Sequence, residues 1–208
     1  MSDTTVVIKT IGRSTLKAAI SSAKREGFKT LVISDGVNTS APGANKFVKL
    51  GKKWGYYGGM AANVGAALVE TEYITFLDDD DEFVPGAGDI IRQKIKERPE
   101  VDVWVGGVRF VKPINLFNEK TKETYLQSRD LAMNSTLGIT VGNVAMPTYK
   151  TYIFSRLPFT DTVKEEDKEL TDFLHIQACS LAGCTIDWFG GPIYLVRPGT
   201  ATVNGRGS

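Results

Sequence analysis

The chain has 208 residues, 25 lysines and arginines against 24 aspartates and glutamates, one histidine and two cysteines, with a formal net charge of +1. That length suits one domain with ample core, and the balanced charge offers neither a basic field for nucleic acid nor a basic amphipathic stretch for a membrane surface. A lone histidine excludes a His-rich zinc site, and no apolar run reaches the roughly 20 residues of a spanning helix.

Val6-Val7-Ile8-Lys9-Thr10 reads as a first, mostly buried strand. Ser14 is placed as N-cap of a helix with Leu16, Ala19, Ile20 and Ala23 on its apolar face, ended by Gly27. Thr30 to Ser34 is a second strand, closed by Asp35-Gly36, and residues 38–44 are a polar loop. Glycines interleaved with Trp54, Tyr56 and Tyr57 suit either a bland turn or a close backbone approach to a flat or bulky group. A small-residue helix spans about Met60 to Val69.

Tyr73-Ile74-Thr75-Phe76-Leu77 is the third strand expected, and it runs into Asp78-Asp79-Asp80-Asp81-Glu82. Neighbouring carboxylates repel by about 1 kcal/mol per pair in water and more where water is scarce. Four of them at the end of a core strand therefore call for a counter-cation, and all-oxygen ligands suit Mg²⁺, Mn²⁺ or Ca²⁺. In an α/β sheet, ligands gather at that carboxyl end. A solvated acidic loop is the plainer reading, weakened by the apolar strand leading in and by Phe83-Val84-Pro85 leading out. A calcium EF-hand loop fits badly, because its sixth-position glycine would be Phe83. A phosphatase-type Asp-x-Asp loop follows a first strand, not a third.

Asp89 to Arg98 reads as a helix with Ile91 and Ile95 inward, stopped by Pro99. Val101 to Val105 is a strand continuing to Val111, residues 112–133 carry no clear period, and Gly138 to Val144 is a further candidate strand. A helix is expected from Asp167 to Leu181, strands at Thr185 to Phe189 and Ile193 to Val196, and a loose tail beyond Pro198. Cys179 and Cys184 are read as two free buried thiols in preference to a disulfide. Strand-helix alternation in the first half predicts a parallel Rossmann-like sheet, and the irregular second half makes that sheet mixed.

Five stretches, in order, resemble family 2 glycosyltransferases of the GT-A fold. Lys9-Thr10-Ile11-Gly12-Arg13 matches the first turn at Thr10 and Arg13. Ile33-Ser34-Asp35-Gly36-Val37 keeps the second aspartate and the glycine of the family's Val-Asp-Asp-Gly-Ser. Gly59-Met60-Ala61-Ala62-Asn63-Val64-Gly65 keeps the asparagine, with Ala62 where the family has arginine. Leu77 to Pro85 matches Leu-Asp-x-Asp-Asp followed by an aromatic and proline. Glu166-Asp167, Gly183 and Tyr194-Leu195-Val196-Arg197 match the family's late acidic pair, glycine and Tyr-x-x-Arg.

The resemblance covers about residues 5–198. It implies a single GT-A domain over 1–208, with a nucleotide-binding half to about residue 111, an acceptor and catalytic half to about 198, and a tail. It also implies an inverting transfer from a nucleotide sugar, UDP-linked by preference, to an acceptor hydroxyl. Thr10, Ile11, Arg13, Asp35, Asn63, Asp78 and Asp79 would bind nucleotide, with Asp35 reading the base. Asp80 and Asp78 would hold Mn²⁺ or Mg²⁺, and Asp167, ahead of Glu166, would be the catalytic base. Each role has a plain rival. Asp35 suits a turn aspartate, Arg13 a surface residue, and Glu165 to Asp167 a helix N-terminus complementing the macrodipole. His175, Trp188 and Tyr194 are assigned to packing. Met1 to Thr5 lacks the basic and apolar regions of a signal peptide, which gives a cytoplasmic expectation. Two other functions remain open: a nucleotidyltransferase of related fold, for which Gly12-Arg13 gives only a trace of the glycine-rich loop, and a non-catalytic nucleotide- or metal-binding module.

Overall fold

The computed structural model describes residues 4–55, 58–110, 147–160 and 171–196. Its elements are β1 (Thr4–Thr10), α1 (Leu16–Arg25), β2 (Lys29–Ser34), β3 (Lys46–Lys49), α2 (Gly59–Leu68), β4 (Tyr73–Asp78), β5 (Glu82–Phe83), α3 (Ala87–Glu97), β6 (Val103–Phe110), β7 (Thr148–Lys150), a 3-10 turn (Thr151–Ser155), α4 (Thr171–Leu181) and β8 (Ile186–Val196). The strands form one eight-stranded sheet in the order β3-β2-β1-β4-β7-β6-β8-β5. This is the mixed α/β architecture expected. β3, β2, β1 and β4 are parallel, β7 is antiparallel to both β4 and β6, β8 runs parallel to β6, and β5 closes the edge antiparallel to β8.

β1 is buried along its whole length because strands flank it on both sides and helices cover the sheet. Its run Val6-Val7-Ile8 and β4's Ile74-Thr75-Phe76-Leu77 form the centre of the core. α2 packs on β1 and β2, and Gly65 lets it come close: a Cβ there would lie 2.4 Å from Val7 Cγ1. α1 and α3 are tied by Glu26, whose Oε2 accepts from Gly88 N and whose carbonyl accepts from Arg92 Nη1. Chain order reverses between β1 and β4, since the strands before β1 in the sheet come later in sequence on one side and β4 lies on the other. In such sheets that reversal opens a crevice at the carboxyl ends of the strands.

The structure corrects several boundaries. α1 is entered from Thr15, not Ser14, and no side chain caps it; Arg13 O accepts from Leu16 N instead. α3 begins at Ala87, so Asp89 lies in its first turn. The two late strands expected are one, β8, because Gly190 at φ 82° and a register shift opposite Gly107 bend the strand without leaving the ladder. β3, β5 and β7 were not expected; four, two and three residues are too short to carry a period. The candidate strand at 138–144 and the tail lie outside the described residues. Both cysteines are free thiols, Cys179 buried and Cys184 partly exposed. Burial pushes the Cys179 thiol up to about 12. Among the described residues, no helix is long and apolar enough to cross a membrane.

Candidate functional site

Two turns meet at the β1/β4 reversal. The first leaves β1 at Thr10 and enters α1; the second leaves β4 at Asp78. Lys9 and Asp78 are register partners across the two strands. β4 ends at Asp78 and the chain turns over Asp79 and Asp80, closed by Asp81 N donating to Asp78 O at 3.2 Å, so the four aspartates face different surroundings and do not share one role.

Asp79 turns inward, 1 % exposed. Its Oδ2 accepts from Thr10 Oγ1 at 2.6 Å, from Ile11 N at 3.0 Å and from Arg13 N at 3.3 Å. Its Oδ1 accepts from Arg13 Nη1 at 2.5 Å. One carboxylate thus fixes the whole β1 turn. Burial alone would pull the Arg13 guanidinium down. The hydrogen bond to Asp79 and the charges of Asp80, Asp79 and Asp78 outweigh it, and its pKa is raised.

Asp78, Asp80 and Asp81 face one another, each offering a carboxylate oxygen within 4.8 Å of the other two. Oxygen ligands sit about 2.0–2.6 Å from Mg²⁺ or Ca²⁺, so opposite ligands lie roughly 4–5 Å apart. The carboxylates already have that span, and the all-oxygen donor set fits a hard divalent cation. Two protein cations stand in the same place. Lys9 Nζ is 2.9 Å from Asp78 Oδ1, and Arg13 Nη1 is 3.6 Å from Asp80 Oδ1.

Asp35 lies at the carboxyl end of β2, next to β1: its N–H donates to Thr10 O at 2.9 Å. Its buried carboxylate accepts from Trp54 N at 2.8 Å and Gly55 N at 2.9 Å. Each oxygen keeps a second lone pair, so Asp35 anchors the 51–55 loop and still has acceptor capacity. Gly36, at φ 73°, makes room for that loop, since a Cβ there would meet Lys52 C at 2.1 Å. Trp54 is exposed with Lys52 Nζ 4.0 Å from its ring centroid, and Ile11 is exposed on the neighbouring turn.

Thr10, Ile11, Arg13, Asp78, Asp79 and Asp80 are therefore brought together, with Asp35 beside them. Asn63 points elsewhere. Its Nδ2 donates to Phe159 O and its Oδ1 accepts from Phe159 N, both at 2.8 Å. That pair joins α2 to the segment after the 3-10 turn and occupies the amide. Glu166, Asp167 and Arg197 lie outside the described residues. Sequence reasoning passed over Lys9 and Asp81. The signal for Lys9 was present: a lysine inside an apolar strand whose neighbours are all buried.

His175 has the packing role expected. Its ring stacks 4.2 Å from Phe159 and 5.1 Å from Phe154. Leu157 O, 2.7 Å from Nε2, can only accept, so Nε2 carries the proton and Nδ1 accepts from Tyr149 Oη at 3.2 Å. Burial lowers the His175 pKa despite the bond to Leu157. The folded chain thus binds this proton more weakly than the unfolded one. Stability is full above the ordinary value of 6.5 and is lost as pH falls below it through the depressed value. A melting temperature that drops as pH goes from about 6.5 towards 5, with the drop reduced in His175→Gln, is the expected result of thermal scans. A pH-independent melt in that window contradicts it.

No protein-family model matches the chain, and no curated protein matches it. Solved structures do match. The chain is similar to S. aureus TarS 1-349 at TM-score 0.67 and 16% identity, over 94% of this chain and 60% of that one. It is similar to a longer S. aureus TarS structure at TM-score 0.66 and 16% identity, over 94% of this chain and 36% of that one. S. aureus TarS 1-349 in complex with UDP-GlcNAc matches at TM-score 0.61 and 14% identity, over 99% of this chain and 60% of that one. The fold is the GT-A type. The chain spans 60% of the length of TarS 1-349.

Proposed function

We propose that this chain is a glycosyltransferase related to family 2, moving a sugar from a UDP-linked donor to an acceptor hydroxyl with inversion. One observation carries the reading: the β1 turn and the β4 aspartates meet at the switch point of a GT-A sheet, with three carboxylates converging beside Arg13 and Lys9. The same fold in S. aureus TarS has been crystallised with UDP and with UDP-GlcNAc, which supports a uridine donor here.

In this reading, the base lies against the β1 turn near Ile11, with Thr10 and Arg13 set by Asp79, and Asp35 offers its remaining lone pairs to a base N–H. Asp78 and Asp80 would hold Mn²⁺ or Mg²⁺, with Asp81 within reach. A bound cation supplies charge neutralisation for a diphosphate leaving group. Asp167, ahead of Glu166, is the proposed base for the acceptor hydroxyl by its match to the family's late acidic pair. Asn63, occupied by Phe159, would act on the site through the placement of α2.

Calorimetric titration with UDP, GDP, dTDP and CMP, each with Mn²⁺ and with chelator, tests the reading. UDP binding at least about tenfold tighter than the others in the presence of Mn²⁺ is expected, a difference of about 1.4 kcal/mol. Failure of every nucleotide to bind in Mn²⁺ refutes it.

A further inference from the structure

Lys9 is the unusual residue of this crevice. It stands at the end of a fully buried strand, its side chain is 8% exposed, and its ammonium lies 2.9 Å from Asp78. A lysine is rarely buried unless its charge is matched. The fold makes specific room for it. Gly58, at φ 80°, faces the Lys9 stem, and a Cβ there would sit 2.9 Å from Lys9 Cδ and 3.5 Å from Lys9 Cβ. Any other residue would crowd the stem as well as strain the backbone. The two cations of the site are also held differently. Arg13 is pinned by Asp79 through both its guanidinium and its backbone N–H. Lys9 carries three donors on a flexible four-carbon stem, and its partner Asp78 is 46% exposed, so that ion pair opens to the crevice.

We propose that Lys9 is a built-in counter-cation for the donor's diphosphate. It holds Asp78 while no nucleotide is present, in competition with a divalent ion for that carboxylate. When a nucleoside diphosphate enters, the ammonium turns from Asp78 to the phosphate oxygens, leaving Asp78 to a metal. The inference rests on the donor-site reading above. It adds that nucleotide binding does not depend wholly on metal, because part of the positive charge is covalently attached to β1. The converging carboxylates alone would imply complete metal dependence.

Two titrations test it, each on the wild-type chain and on Lys9→Met, which keeps the stem length and removes the charge. In the first, UDP is titrated in chelator. The wild type is expected to bind measurably, and Lys9→Met to lose about tenfold or more of that affinity. In the second, Mn²⁺ is titrated without nucleotide and followed by its electron paramagnetic resonance signal. Lys9→Met is expected to bind Mn²⁺ several-fold more tightly, because Asp78 has lost its competitor. Wild-type UDP binding that appears only with Mn²⁺ overturns the role of Lys9 while leaving the donor site standing, and this result needs no variant. Unchanged metal-free UDP affinity in a folded Lys9→Met overturns it as well. UDP binding under neither condition refutes the donor-site reading, and this inference falls with it.

Discussion

Asp79→Ala is expected to lower the unfolding free energy by about 3–5 kcal/mol, the range for removing one partner of a buried ion pair. For a chain of this size, that corresponds to a melting temperature lower by about 6–20 °C. The magnitude follows from what is left behind. The substitution removes one carboxylate and strands three donors, the Thr10 hydroxyl and the N–H groups of Ile11 and Arg13, and it leaves the Arg13 guanidinium only its longer contact with Asp80. Two of these are backbone groups that cannot turn away. Asp89→Ala is the control. Asp89 is also ion-paired, to Arg92, but it is 87% exposed, and an exposed pair contributes about 0–1 kcal/mol. Thermal denaturation of both variants decides the matter. Equal melting temperatures for Asp79→Ala and Asp89→Ala show that Asp79 does not fix the β1 turn. UDP affinity should fall with Asp79→Ala as well, since the turn carries Thr10 and Arg13.

The largest effect on rate is expected from Asp167→Asn. Positioned proton transfer contributes about 10²–10⁴-fold, and an amide cannot accept the acceptor's proton at neutral pH. Release of UDP from a UDP-sugar that the wild type hydrolyses, with water standing in for the acceptor, should slow by that factor. UDP affinity measured with Mn²⁺ should stay within about twofold of the wild type. Glu166→Gln should slow release less. Unchanged turnover in Asp167→Asn removes the assigned base, and a parallel loss of UDP affinity reassigns the residue to binding.

Much of the sheet was legible because its central strands are buried on both faces and read as continuous apolar runs. Val6-Val7-Ile8 and Ile74 to Leu77 needed no partner to be recognised. β3 and β7 were not legible, since what makes Thr148–Lys150 a strand is the gap between β4 and β6 that it fills. The site shows the same division. Four aspartates in a row announce a charged strand end, but nothing local separates Asp79 from Asp80. The distinction comes from Thr10 and Arg13, more than sixty residues earlier in sequence, meeting one of them. Asp35 likewise finds its partners in Trp54 and Gly55. Asn63 has the family's position and a helix to carry it, yet Phe159, far along the chain, takes both ends of its amide.

The described sheet also ends in a particular way at each side. β3 begins at Lys46, ends at Lys49 and is exposed along most of its four residues, while β5 on the far side has only two. A free strand edge is a template for another chain's backbone. Lysines on a short strand, and a strand too brief to hold a ladder, are two ways of spoiling that template. Sheet-to-sheet growth between copies is therefore disfavoured at both described edges. The core can stay rich in β-branched residues without its described sheet edges offering a long template for another copy.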